Sequence, residues 1–413
     1  MKQEVWIVGV GMTPFGRHTE KSVKQLVSWA VGDALQDARI SAAKIDAAYF
    51  GNCGMGALQG QEMIRGNVCL MPLGIQGIPI INVEAACATA SVAFHLAVKA
   101  VESGDKDIAL AVGVEKLCIE DKQKAFAIFD SAWDVEQVSQ NRIQLMQMGA
   151  GATPPEGSTS TRPYSQFLDV YAAFCRFHER QYGLTQRQLA VIASKNHQHS
   201  VSNERAQYRK PFTIEEILAS PPVTWPLTLP MCSPLTDGAA AAIIVNAEGL
   251  QRLGLSKDRA VKVRATVLRS GMARQYNNLE LHITRLAAID AYEQAGIGPK
   301  DIDVAEVHDA TAMGEVIQSE NLGFCERGDG GLFAESGSTA LGGSIPINPS
   351  GGLESKGHPI GATGLGQVFE LVQQLRGECR ERQVDNARFA IQENGGGLWG
   401  FEEAVAHLAV LEK

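Results

Sequence analysis

Cys87 stands in the run Val83-Glu84-Ala85-Ala86-Cys87-Ala88-Thr89-Ala90-Ser91, between an extended segment at 79–83 and the start of a helical pattern. A thiol there meets unpaired N–H groups and the positive end of a helix dipole, which stabilise thiolate and lower the pKa. Its small neighbours leave the sulfur open to a bulky acyl group. A nucleophile fits these residues, and a buried core cysteine fits them equally well. A second constellation spans Asn348-Pro349-Ser350-Gly351-Gly352-Leu353-Glu354-Ser355-Lys356-Gly357-His358-Pro359-Ile360-Gly361-Ala362-Thr363-Gly364. A histidine set in such a glycine-rich stretch, with Pro next, is predicted on an exposed, rigid loop, where it can take a proton from a thiol. His308-Asp309 closes a predicted strand, a usual place for catalytic side chains in α/β layers. Gln392-Glu393-Asn394-Gly395-Gly396-Gly397 follows the last expected strand, 388–391. Its glycines let a substrate approach backbone N–H groups able to bind an oxyanion, and Glu393 beside them is placed to act as general acid or base.

The elements that position these residues come in two sets. Asp33-Ala34-Leu35-Gln36-Asp37-Ala38-Arg39-Ile40, followed by Ile45-Asp46-Ala47-Ala48, is echoed 257 residues later. There Asp290-Ala291-Tyr292-Glu293-Gln294-Ala295-Gly296-Ile297 precedes Ile302-Asp303-Val304-Ala305. Each copy reads as an amphipathic helix, a short loop and a strand. A weaker echo pairs the helical pattern opening at Cys87 and the strand at 107–112 with the helical pattern opening at Gly361 and the strand at 388–391. Two matches in the same order point to a duplication. The region 118–230 differs: a Gly/Pro loop at 149–157 and two long polar helices, near 166–182 and 185–199, look like an insertion into the first half.

Composition narrows the function classes. The 413 residues are 45% hydrophobic with 42 glycines, enough for a large core of close-packed α/β layers. The net charge of −9, without a basic block, argues against nucleic-acid binding. The first residues, 1–8, read as a strand rather than a signal peptide. The longest apolar stretch, 239–245, is far short of the about 20 residues that span a bilayer. Eight scattered cysteines without a CxxC pair fit free thiols and a cytoplasmic location. Gly9-Val10-Gly11-Met12-Thr13-Pro14 follows a strand but is not a dinucleotide fingerprint. No Walker loop, HExxH or metal-spaced His/Cys cluster occurs, so no metal site is expected.

Over essentially its whole length the chain resembles the thiolase superfamily. Gly357-His358-Pro359-Ile360-Gly361-Ala362-Thr363-Gly364 is similar to a motif specific to thiolases. Asp237-Gly238-Ala239-Ala240-Ala241 resembles the strand that closes their first half, and His308-Asp309 resembles the sterol-carrier-protein-2-type branch. The resemblance implies a duplicated, five-layered α-β-α-β-α fold of α/β class. The first half would span 1–117 and 231–255, the loop-domain insertion 118–230, and the second half 256–413. It implies that Cys87 attacks the ketone carbon of a 3-oxoacyl-CoA with His358 as proton acceptor. His308 and His358 would hold one oxygen, and the N–H groups of Cys87 and Gly395 would form a second oxyanion hole. Ser233 and Gly396 would contact the substrate. Coenzyme A would be a substrate, with no permanently bound cofactor. A homodimer is implied, as is a small OB-fold, zinc-finger partner subunit for many members of this branch.

The sequence departs from the family where a second cysteine should handle the α-carbon proton. Glu393 and Ala310 occupy the two family positions for that thiol, which makes Glu393 the expected substitute. A bulky, branched or aryl acyl-CoA, including a benzoylsuccinyl-type CoA, is the expected substrate, in the cleavage or the condensing direction. Cys87-His308-His358 also has the residue types of a ketosynthase site, so a condensing C-acyltransferase is the main rival. A thiolase-like aldolase is disfavoured because Cys87 and His358 would be unnecessary. A non-catalytic scaffold subunit is disfavoured because both are present.

Overall fold

The computed structural model describes residues 3–413. Met1 and Lys2 of the expected first strand lie outside the described residues, and β1 itself runs Trp6–Met12. The remaining strands are β2 (Ala47–Gly51), β3 (Ile80–Val83), β4 (Ile108–Lys116), β5 (Pro222–Thr224), β6 (Leu227–Thr228), β7 (Asp237–Val245), β8 (Val261–Ser270), β9 (Val304–Glu306), β10 (Phe389–Gly396) and β11 (Val405–Glu412). β5 and β6 pair with each other alone. The other nine form one sheet in the order β3-β2-β4-β7-β1-β8-β11-β10-β9.

That order is a duplication. β1 and β8 meet antiparallel at the centre, Trp6 opposite Lys262 and Ile7 opposite Val261. Moving outward, β7 and β11 pair antiparallel with these first strands, β4 and β10 pair antiparallel with those, and β2 and β9 then pair in parallel. β3 continues the first half, and an isolated parallel bridge of Ile347 to Ala305 stands in its place in the second. Both sequence echoes fall on equivalent elements. Helices Val23–Ala38 and Ile283–Ala295 lead into β2 and β9, and helices Thr89–Glu102 and Thr363–Arg376 lead into β4 and β10.

Burial follows from the same symmetry. Helices Thr89–Glu102 and Thr363–Arg376 bring Phe94, Ala97, Leu365 and Val368 between the inner faces of the two half-sheets, against Ala242, Ala390 and Ala409. Helix Val23–Ala38 covers the outer face of the first half and helix Ile283–Ala295 that of the second. The result is five layers, α-β-α-β-α. Small residues set the spacing: β7, Asp237–Val245, is buried throughout and centred on four alanines. In β1 a Cβ at Gly11 would overlap the carbonyl oxygen of Ala30 in helix Val23–Ala38. The glycines at 9 and 11 are therefore packing residues. Gly11→Ala is expected to destabilise the fold by about 3 kcal/mol, read as a lower urea midpoint with an unchanged slope. No helix among the described residues is long and apolar enough to cross a membrane.

Between β4 and β7 lie helices Val138–Met148, Phe167–Tyr182 and Gln186–His199. The last two are not polar all round. Tyr171, Ala172, Cys175, Leu189 and Ile192 pack against Ala312, Met313, Val316 and Leu353 of the second half. This segment roofs the region where the two halves meet.

Candidate active site

Cys87 lies in a 3-10 turn, Ala86–Ala88, just before helix Thr89–Glu102. Ala86 has φ +48°, a left-handed conformation that costs free energy in a non-glycine residue and marks a constrained turn. The Ala85 N–H donates to Thr89 Oγ1 at 2.8 Å and fastens the turn to the helix. Thr363, at the start of the helix equivalent to that of Thr89, fastens the histidine loop in a related way. Its Oγ1 lies 2.7 Å from His358 Nδ1.

The loop carrying His358 is buried, not exposed as its glycine content suggests: all residues from Asn348 to Thr363 are buried. Gly357 adopts φ +113°, open to glycine, and lets the His358 N–H donate to Thr236 Oγ1 at 3.0 Å. Asp309 does not cap its neighbour His308. Its Oδ1 accepts from the Leu353 N–H at 2.8 Å and its Oδ2 from the Asn196 amide at 3.0 Å, bracing the turn before His358. Lys356 Nζ and Ser350 Oγ donate to Glu306 Oε2 at 2.9 and 2.8 Å in the same dry interior.

These motifs, far apart in sequence, converge. Cys87 Sγ and one ring nitrogen each of His308 and His358 lie within 4.8 Å of one another. The two rings meet edge to face, with centroids 5.1 Å apart. His308 follows β9 by two residues, its Nδ1 3.5 Å from Tyr171 Oη and its Nε2 without a partner.

Electrostatics revises the expected state of the thiol. Burial foremost, then the negative charges of Glu115 and Glu84, push the Cys87 pKa up to about 12. The N–H groups of Cys87 and Gly397 pull the other way but are outweighed. The helix start thus does not lower this pKa as expected, because desolvation is the larger effect. Burial lowers the His308 pKa to about 4. Burial, His308 and Lys356 hold His358 well below the usual histidine range. The resting site is a thiol beside two neutral imidazoles. With the Thr363 hydroxyl turned to the Pro359 carbonyl at 3.2 Å, Oγ1 accepts from His358 Nδ1–H. That leaves the His358 Nε2 lone pair free.

Cys87, His308 and His358 open onto a cavity of about 740 Å³, also lined by Ser233, Gly396 and Gly397. Much of its wall is aromatic: Phe126, Phe129, Phe167, Tyr171 and Phe212. Gly395 and Glu393 are not on the wall. Both lie in β10, Gly395 opposite Ala406 and Glu393 opposite Leu408. Glu393 is wholly buried, and its Oε2 accepts the His308 backbone N–H at 2.9 Å. Burial, with Glu403 and Asp309 adding to it, pushes its pKa well above the carboxylate range. The sequence reading missed Tyr171, Glu354 and Glu403, which line the cavity, and Thr363, which orients His358. Tyr171 alone had a signal, as an inward position of an amphipathic helix.

Residues 5–218 match the thiolase N-terminal domain and residues 265–409 the thiolase C-terminal domain-like family. An acetyl-CoA acetyltransferase of Methanothermobacter thermautotrophicus is 36% identical over 405 residues, covering 96% of this chain and 97% of its own. The benzoylsuccinyl-CoA thiolase subunit BbsB of Thauera aromatica is 34% identical over 393 residues, covering 93% and 92%. Among solved structures, the Ltp2-ChsH2(DUF35) aldolase superposes with a TM-score of 0.76 at 21% identity, covering 100% of this chain and 98% of that one.

Proposed function

The chain belongs to the thiolase family and is an acyltransferase of CoA thioesters, and we propose that it cleaves or forms 3-oxoacyl-CoAs through an acyl-enzyme on Cys87. The observation that carries this reading is the approach of the Cys87 thiol and two neutral imidazoles to within 4.8 Å in one cavity. His358 Nε2 takes the thiol proton as Sγ attacks the ketone carbon, and the imidazolium so formed then donates to the oxygen that gains charge. A Tyr171 hydroxyl donating to His308 Nδ1 leaves the proton on Nε2, which makes His308 a neutral donor to the same oxygen. The N–H groups of Cys87 and Gly397, the latter next to Sγ, supply the second oxyanion hole in place of Gly395, which lies off the cavity wall. Glu393 holds His308 in place through its backbone N–H.

The substrate is a bulky or aryl 3-oxoacyl-CoA. Supporting this are the aromatic wall, the volume of about 740 Å³, and the relation to a benzoylsuccinyl-CoA thiolase subunit. Ser233 flanks the pantetheine arm, and Arg17 and Lys122 on the cavity wall meet the phosphates of coenzyme A. A thiolysis screen tests the assignment, with an at least tenfold higher kcat/KM for a benzoylsuccinyl-type CoA than for acetoacetyl-CoA as the expected result. A preference for acetoacetyl-CoA would overturn the substrate class while leaving the chemistry intact.

A homodimer fits the open sheet edge at β3, where Ile81 and Asn82 are exposed and a second copy could continue the pairing. Light scattering of the purified chain checks it. An OB-fold, zinc-finger subunit is the second proposed partner, and the screen is run with and without such candidates. Eight unpaired thiols suit a reducing cytoplasm.

A further inference from the structure

We infer that Glu403, rather than Glu393, is the acid and base that moves the α-carbon proton in this reaction. The inference rests on the acyl-enzyme reading and supplies its missing step. Glu403 lines the cavity that holds Cys87, His308 and His358, whereas Glu393 does not. The strand opposite makes room for it: a Cβ at Gly395 would lie 2.5 Å from Glu403 Cγ, so the carboxyl packs directly on the glycine backbone next to the cavity. Gln318 Nε2 holds Oε1 at 3.2 Å, and the buried Oε2 has no hydrogen-bond partner. His282 stands 3.7 Å from Oε2 through its Nε2. Its Nδ1 accepts from the Thr284 N–H, so this Nε2 carries the proton.

Three carboxyls compete for the role, and their protonation separates them. A group that gives a proton in one direction and takes it in the other must populate both forms near neutrality. Glu354 lines the cavity, but burial and the charges of Asp309 and Glu315 keep it protonated well above the carboxylate range, and Glu393 is held the same way. Glu403 is raised only to about 7, by burial foremost and by Glu402, and is drawn back by its own backbone N–H, Arg274 and Gln318. The other titratable groups packed around it are His282, Tyr171 and Glu393.

In cleavage, Cys87 Sγ bonds to the ketone carbon, its proton having passed to His358. The bond between that carbon and the α-carbon then breaks, and its electron pair takes a proton from the Glu403 carboxyl, releasing the shorter acyl-CoA. The Glu403 carboxylate next accepts the thiol proton of incoming CoA. CoA sulfur bonds to the acyl carbon, and the departing Cys87 sulfur recovers its proton from His358. Condensation runs the same transfers backward, with Glu403 carboxylate removing the α-proton.

The test separates acylation from proton transfer. Acylation of Cys87 is followed by mass spectrometry with the thiophenyl ester of acetate, whose leaving group needs no acid. Proton transfer is followed as deuterium entry from D2O into the α-carbon of acetyl-CoA. Glu403→Gln is expected to slow exchange by at least about 100-fold while acylation stays within about fivefold of the unmodified chain. Glu403→Asp should restore part of the exchange. In the unmodified chain exchange should rise with pH through about 7, a limb that Glu403→Gln removes. Undiminished exchange in Glu403→Gln, or its loss in Glu393→Gln with Glu403→Gln unaffected, would overturn the inference. No acylation in the unmodified chain would overturn the acyl-enzyme reading beneath it.

Discussion

Cys87→Ala is expected to lower thiolysis by about 10⁴-fold or more, and to abolish the added acyl mass that the unmodified chain gains from an acyl-CoA. Three other cysteines are near enough to make this a real test. Cys118 and Cys232 also line the cavity, and Cys53 Sγ reaches the Ala86 carbonyl at 3.2 Å, one residue from Cys87. All three are pushed up in pKa by burial, as Cys87 is. Among the described residues only Cys87 has two imidazole nitrogens within 4.8 Å of its sulfur, which gives its proton a place to go as a bond to carbon forms. The resting charge state gives a second readout. With the thiol raised to about 12 and His358 held neutral, alkylation of Cys87 by iodoacetamide in His358→Asn, where no imidazole takes the proton, should climb about tenfold per pH unit between about pH 7 and 10. A plateau by pH 8 in that variant would mean a thiol that ionises far below 12 and would overturn this charge assignment. Acylation of Cys87→Ala at another cysteine would overturn the nucleophile itself.

The duplication was legible because helix and strand periodicity survive in both copies, and both echoes fall on symmetry-equivalent elements. The types of the reacting residues were legible too. Their environment was not, because it is set by segments remote in sequence. The glycine-rich run around His358 reads as an exposed loop until the 167–199 helices and Asn196 are seen to cover and brace it. The sign of the Cys87 shift depends on how much water that roof removes, which no local pattern encodes. Glu393 shows a more specific failure. Read as a loop carboxylate beside three glycines, it faces substrate. In the structure β10 continues through Gly396 and carries Glu393 into the buried sheet, off the cavity wall. The Cβ direction of Gly396 points at Ala85 and Ala88 around the nucleophile, whereas Glu393 turns to the His308 backbone. Glu403 becomes visible only when β11 folds back to set Ala406 opposite Gly395.

The other large effect expected is at His358. His358→Asn should reduce thiolysis by about 10²–10⁴-fold and slow alkylation of Cys87 near neutral pH, with the fold intact by its urea midpoint. The hydrogen-bond chain assigns the role. With the Thr363 hydroxyl turned to Pro359, Oγ1 accepts from His358 Nδ1–H, the tautomer with a free lone pair on Nε2. A thiol raised to about 12 needs that acceptor at neutral pH but not in strong base. The residual activity of His358→Asn should accordingly rise about tenfold per pH unit, as solvent hydroxide takes over the deprotonation. His308 lacks such an arrangement. Its Nδ1 faces Tyr171 and its backbone is tied to Glu393, so His308→Asn should weaken turnover through the oxyanion while leaving alkylation of Cys87 near its original rate. If His308→Asn instead abolished alkylation and His358→Asn spared it, the two histidines would exchange roles. The tautomer fixed by Thr363 would then lose its catalytic meaning.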